Sequence, residues 1–305
     1  MQPEAPVIDE ATGQLNRPPT QAELDALMAE QSPPPPRAQE AMTTGQVDQA
    51  INKAAGQAKV PTMDAGDSCM VTLPGGYITP EGLLVTEARV RELNGFDEEK
   101  LARTDMLKNA AAFVTEMLDL GVEDLGGEKP SRRVLQSLLS GDRDALMLGI
   151  RRATYGNEVE FKLKCPVCDN DSVIIVLLNE DIVVEPMKDP LHREFEIPLR
   201  KGGVAIVHLI NGSAQEAFSA DMAKKTSAEI TTVMLAKCVV AINGTPVGGR
   251  TEDVLRLPSA DRQAITDFLA ENQPGPQLNK EIPVPCATCG EEFQILLGIP
   301  NLFRW

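Results

Sequence analysis

Two Cys-x-x-Cys pairs, far apart in the chain and set in matching surroundings, constrain this sequence more than any other feature. Cys165 and Cys168 lie in "FKLKCPVCDNDSVIIVLL", and Cys286 and Cys289 lie in "EIPVPCATCGEEFQILLG". Each pair separates two strand-like runs, as the tip of a β-hairpin would. Zn²⁺ takes four tetrahedral ligands, and one such turn supplies two thiolates, so two turns complete one closed site. The expected ligands of a single structural zinc ion are therefore Cys165, Cys168, Cys286 and Cys289. Four sulfur ligands leave no position for a substrate, so the site is structural. A redox dithiol is the competing reading of "CPVC". That chemistry places its cysteine at a helix N-terminus, where the dipole lowers the thiol pKa, whereas here turn-formers and strand-like runs follow. Two separate two-cysteine sites, or a disulfide inside each pair, complete the alternatives.

The spacing of the pairs belongs to a longer pattern. The cysteines repeat at 286 − 165 = 289 − 168 = 121 residues. Upstream, Leu93-Asn94-Gly95 with Glu99 matches Ile210-Asn211-Gly212 with Glu216 at an offset of 211 − 94 = 117, and Met117-Leu118 matches Met234-Leu235 at the same offset. Asp142-Arg143 matches Asp261-Arg262 at 261 − 142 = 119. Ordered landmarks with slowly drifting offsets are what duplication with small loop changes leaves behind. The fold class expected is α+β: tandem duplicated α+β domains, each ending in a zinc-knuckle hairpin, behind an extended N-terminal arm. The domains run 1–65 for the arm, 66–180 for the first copy and 181–305 for the second. Each copy reads as a strand hairpin, a helical middle, a helix opening at Asp-Arg, and the closing knuckle. Ser140 or Asp142, and Ser259 in the second copy, are the expected caps of that last helix. Arg143 and Arg262 read as exposed, or paired with an acid at a helix end.

The arm differs in composition. "RPPT" and "SPPPPR" flank short helix-capable pieces that cannot form a core alone. "TQAELDALMAEQ" opens on a capping-box pattern, Thr20 with Glu23, and lines up Leu24, Leu27 and Met28 on one face as partner-binding residues. A disordered tail and an arm that orders on a partner both fit this composition. At the other end, "LLGIPNLFRW" carries Phe303 and Trp305, which either fold back onto the second knuckle domain or anchor the chain to a neighbour.

Charge and composition narrow the function classes. A net charge of −16 argues against general nucleic-acid binding, which relies on Lys and Arg displacing counterions from phosphates. The longest apolar runs fall well short of the roughly 20 residues a spanning helix needs, and the N-terminus has no basic segment followed by an apolar one, so no membrane or secretory role is expected. Six cysteines are too few for a disulfide scaffold. Of the two outside the pairs, Cys238 sits in an apolar run and reads as a core residue. With two histidines, His192 and His208, and no phosphate-binding glycine pattern, the expectation is a protein that is not an enzyme.

The order "VTLPGGYITPEG", "EARVRELNGFDEEKLA", "VLQSLLSGDRDALMLGIRRATYG" and then "CPVC" resembles tailed-bacteriophage baseplate hub subunits and tail-assembly proteins, the T-even-like baseplate hub family being nearest in kind. The resemblance covers mainly residues 70–180, and through the duplication a second pass over 195–300. It implies a structural component of the tail or baseplate, made in the host cytoplasm and carried in the virion. Its partners would be other tail and baseplate proteins, with a homo-oligomer inside the assembly compatible with that role. The alternatives are a tail-assembly chaperone absent from the virion and a zinc-ribbon nucleic-acid or transcription adaptor.

Overall fold

The first half of the described chain opens on an antiparallel hairpin, β1 (Cys69–Ile78) and β2 (Leu84–Val90). Two helices follow, α1 (Gly95–Leu101) and α2 (Ala110–Gly121), and then β3 (Val122–Leu125), which pairs with β2 to give the order β1-β2-β3. Next come α3 (Arg132–Ser137), α4 (Ser140–Tyr155) and the hairpin β4 (Glu158–Lys164) with β5 (Asp171–Leu177). The computed structural model describes residues 69–104, 108–278, 282–286, 288–295 and 302–303. The arm, with Leu24, Leu27 and Met28, and the terminal Trp305 lie outside the described residues.

After a short strand β6 (Val184–Glu185), the second half runs through the same kinds of element. It has β7 (Phe195–Pro198), β8 (Val204–Val207), α5 (Gly212–Ser219), α6 (Ser227–Cys238), β9 (Val239–Ile242) and β10 (Thr245–Pro246). It continues with α7 (Thr251–Leu255), α8 (Ser259–Glu271), β11 (Gly275–Pro276) and the hairpin β12 (Ile282–Pro285) with β13 (Glu292–Ile295). The sheet order is β10-β9-β8-β7, and β11 pairs with β6. The architecture is mixed α+β.

The two halves agree in register, and not only in order. In the first, Ala88, Arg89 and Val90 of β2 face Leu125, Asp124 and Val122 of β3, with an irregularity between Arg89 and Val90. In the second, Ala205, Ile206 and Val207 of β8 face Ile242, Ala241 and Val239 of β9, with the irregularity between Ile206 and Val207. All six pairs of equivalent positions differ by 117. Both third strands start directly at the end of a helix whose Leu118 or Leu235 carbonyl accepts the capping N–H. Asn94 and Asn211 cap α1 and α5 by accepting backbone N–H groups, which is why Asn-Gly opens both segments.

Each half has its own core. One is built from residues 71–182 with Leu302 and Phe303 added from the far end of the chain, and includes Met117, Leu118, Leu146 and Ile150. The other is built from residues 197–269, including Leu235 and Ile265, joined by Leu139 from the first half. Phe303 is therefore buried in its own chain, 1% exposed, with Tyr155 edge-on to its ring. Residues 63–305 form one compact unit.

The polar residues at the start of α4 do other work than capping. The N-cap is Leu139 and makes no side-chain bond. Asp142 instead turns its carboxylate to the β1 bulge, where Oδ1 accepts from Gly75 N at 2.6 Å and Gly76 N at 3.2 Å. Pro258 occupies the corresponding place before α8, again without a side-chain bond, and Asp261 accepts from Arg200 N at 2.9 Å. In each half the carboxylate satisfies backbone N–H groups, at the β1 bulge or in the loop before β8, that the strand ladder leaves unpaired. Arg143 is wholly buried and not exposed as its charge implied: it donates to the carbonyls of Leu135 and Ala111 and to Thr115 Oγ1. Arg262 repeats this toward the Val254 carbonyl and Thr232 Oγ1. At Gly141 an added Cβ would lie 1.7 Å from the Pro274 carbonyl oxygen, so the strap carrying β11 crosses α4 at a point only glycine permits.

Candidate metal centre

The β4–β5 hairpin is paired along its whole length, from Glu158 with Leu177 to Lys164 with Asp171. The β12–β13 hairpin ends on the equivalent pair, Pro285 with Glu292. Between them the two turns have one geometry. Cys165 N donates to Asn170 O and Asp169 N to Cys165 O, both at 3.0 Å; Cys286 N donates to Glu291 O at 2.8 Å and Gly290 N to Cys286 O at 2.9 Å. The residue after the second cysteine is left-handed in both, Asp169 at φ 55° and Gly290 at φ 75°. In each turn a backbone N–H two residues past the first cysteine points at its sulfur, Val167 N to Cys165 Sγ at 3.5 Å and Thr288 N to Cys286 Sγ at 3.4 Å. These N–H groups stabilise negative charge on sulfur and prepare it as a ligand.

The two turns meet. All four Sγ atoms lie within 4.8 Å of one another. Cys165 approaches Cys289 and Cys168 approaches Cys286, each pair at 3.7 Å. A disulfide would require about 2.05 Å, so these are free thiols. Zinc bonded to sulfur at about 2.3 Å generates a tetrahedron with edges of about 3.8 Å, the separation seen between the cross-turn sulfurs. Cys165 and Cys286 are buried, Cys168 is half-buried and Cys289 is exposed, so the cluster sits at the surface edge of two joined hairpins.

Electrostatics favours a cation here. A backbone hydrogen bond at Glu291 favours the Cys289 thiolate, yet desolvation and the neighbouring sulfurs of Cys168, Cys286 and Cys165 push its pKa up to about 12. Four thiolates cannot share so small a volume without a positive ion between them. The donor set, the sulfur separations and the N–H groups aimed at sulfur therefore all fit a closed tetrahedral metal site. Cys238, by contrast, is a buried core thiol with its pKa pushed up to about 12 by burial alone.

The sequence model of the family described as "T4 bacteriophage base plate protein" matches residues 81–304. That span takes in the first half from β2 onward, the second half and all four clustered cysteines. The chain belongs to this family. It is thus a bacteriophage baseplate protein, and membership implies contact with other proteins of the tail. No curated protein and no solved structure matches the chain. Among the described residues of this baseplate protein, no helix is long and apolar enough to cross a membrane.

Sequence reasoning found the four sulfurs but not their supports. Val167 and Thr288 act through backbone N–H groups, which leave no residue-type signature. The left-handed positions did leave one, because Gly290 stands where the first turn has Asp169, and both types tolerate that conformation. The buried Asp142 and Arg143 network was missed because a charged pair at a helix start resembles a solvated cap.

Proposed function

We propose that this baseplate protein is a non-enzymatic structural part of the tail, hub- or wedge-associated, in which one zinc ion held by Cys165, Cys168, Cys286 and Cys289 clamps together two copies of a duplicated unit. The observation that carries this reading is the meeting of two equivalent turns, 121 residues apart, with cross-turn sulfurs at 3.7 Å. The recurring 117-residue offset in the β2–β3 and β8–β9 registers supports the duplication. Closing a loop from Cys168 to Cys286 gives the ion a large entropic effect on the unfolded chain, and structural zinc in small peptides contributes roughly 10–16 kcal/mol of apparent binding energy. The buried charges Asp142 and Arg143 hold backbone groups in place, which supports a scaffold and not a reaction centre. The Pro-rich arm, with Leu24, Leu27 and Met28, ties the unit to neighbours, and Trp305 is a second candidate anchor.

Two measurements test this. Metal analysis of the purified chain should give one zinc per polypeptide, and quantitative mass spectrometry of intact particles should show the chain at a fixed ratio to other tail proteins. A metal-free folded chain defeats the zinc clamp. Absence from particles, with abundance in infected cells, replaces the built-in part by an assembly chaperone.

A further inference from the structure

Among the described residues the two halves of the chain dock in one direction, and the contact uses only one of two equivalent donor helices and one of two equivalent acceptor faces. The donor is α5. Its Gly212 N donates to Leu138 O at 3.0 Å, and its Glu216 carbonyl accepts from Asn109 Nδ2 at 3.1 Å. The Glu216 carboxylate accepts from Gln136 Nε2 at 2.8 Å and from the Thr115 hydroxyl, and its charge favours the guanidinium of Arg143. An added Cβ at Gly212 would lie 2.4 Å from Arg143 Nη1, so glycine permits the close approach.

The unused donor is α1. Asn94, Gly95 and Glu99 stand 117 residues before Asn211, Gly212 and Glu216. A capping box and the Arg91–Asp97 ion pair at 2.7 Å hold the helix in place. Nothing lies within 4 Å of a Cβ built on Gly95, Glu99 is exposed with no partner among the described residues, and Phe96 is 87% exposed. The unused acceptor is the face of α6, α7 and α8. Arg262 and Thr232 repeat the hydrogen bonds of Arg143 and Thr115. Yet Ala228 and Ser259 are exposed where Ala111 and Ser140 are buried, and Leu255, 59% exposed, stands where Gln136 meets Glu216.

We propose that a second copy of this chain sets its α1 on the α6–α8 face, with Gly95 over Arg262 and Glu99 toward Thr232, so that chains join head to tail through the contact that joins their own halves. Two arguments select this occupant. The vacant donor and vacant acceptor continue an interface the molecule already makes, and the exposed Glu99 carboxylate complements the half-buried Arg262. Such a contact is heterologous: each chain keeps a free donor at one end and a free acceptor at the other, so the assembly closes into a ring or grows as a filament. The proposal rests on the duplication reading above.

Sedimentation velocity of the zinc-loaded full chain at rising concentration tests it. Wild type should pass from monomer to larger species. Gly95→Trp fills space that is open in the monomer, and Leu255→Asp sets a negative charge against Glu99; each alone should stay monomeric with its zinc content and circular dichroism unchanged. Mixing the two should yield a dimer and nothing larger, because one intact donor then meets one intact acceptor. A wild type that remains monomeric, variants that associate as wild type does, or a mixture that stays monomeric overturns the proposal, as does association with a different protein only. Gly212→Trp separates the two readings. If it lowers thermal stability while wild type remains monomeric, the duplicated intrachain contact stands and only its extension fails.

Discussion

Arg143 and Arg262 occupy equivalent places in the two halves and make equivalent hydrogen bonds, yet their surroundings differ. Over Arg143 lies α5, which removes it from water and supplies Glu216 as a countercharge. Among the described residues no such helix covers Arg262, which is only half-buried. Burial draws the Arg143 pKa down to about 10, while Glu216 opposes the shift. The contrast teaches that the side-chain network recurs in both halves, whereas its energetic weight is set by what covers it. The hairpin edges make a similar comparison. In β12, Pro285, opposite Glu292, has no N–H to offer the outer edge and so blunts it. In β4 that edge carries Glu160, Lys162 and Lys164, charges that discourage strand addition by another means.

The largest test of this comparison removes what the halves share. Cys286→Ser and Cys168→Ser should each release the ion and expose both hairpins to hydrogen exchange, although each substitution touches one hairpin only. Loss of protection confined to the mutated hairpin would show that the two turns are not clamped together. Stability should fall by several kcal/mol, a fraction of the roughly 10–16 kcal/mol that structural zinc provides in small peptides.

Next in size is the pair of arginines. Arg143→Met leaves the Leu135 and Ala111 carbonyls and the Glu216 carboxylate without their buried partner, and should cost about 3–5 kcal/mol in urea unfolding. Arg262→Met should cost about 1 kcal/mol, because water can replace it. Equal costs would mean that α5 does not seal the first site.

The carboxylate beside Arg143 gives a pH test. Burial raises the Asp142 pKa from 3.8 to about 6, against the pull of the Gly75 and Gly76 N–H groups and Arg193. Its folded-state pKa exceeds the unfolded value, so the folded protein binds the proton more tightly. The contribution is fully present below about pH 4 and is lost as pH rises through about 6, with a span of roughly 3 kcal/mol. Asp142→Asn should remove the Asp142 share of the slope, seen as the difference between wild-type and variant unfolding curves from pH 4 to 7, and leave the share of Asp144, whose pKa burial raises to about 7. An unchanged slope would place the titration elsewhere.

The smallest effects lie at the two helix starts. Gly212→Ala drives a Cβ against Arg143 and should cost about 1–3 kcal/mol. At low protein concentration Gly95→Ala meets open space and should be neutral or stabilising by about 0.5–1 kcal/mol, since alanine is the better helix former. Thermal unfolding of the two variants side by side checks the sign of each.

Much of this was legible in the residues. The cysteine spacing and strand-like flanks led to the two turns, and Asn-Gly marked both α1 and α5, because capping and hairpin tips are local chemistry. The third strands, β3 and β9, were hidden inside the helical middle: four residues such as Val122–Leu125 are too few to show alternation. The misread caps have a different cause. Asp142 has the right type, but N–H groups of the β1 bulge compete for its carboxylate, while Ser140 and Ser259 fall one residue past the N-caps Leu139 and Pro258, inside the first helical turn. Phe303 was ambiguous because an apolar tail reads the same whether it faces its own core or a neighbour's.

The sequence by itself determined the mixed α+β character, the order of landmarks and the identity of the clustered thiols, since these follow from short-range periodicity, turn chemistry and ligand type. Only the tertiary structure decided that the four sulfurs converge, that Arg143 is sealed while Arg262 is open, and that Phe303 belongs to the first core. Those outcomes depend on which surfaces meet across more than a hundred residues, and desolvation at such a meeting is a property of both surfaces together, which no local pattern encodes.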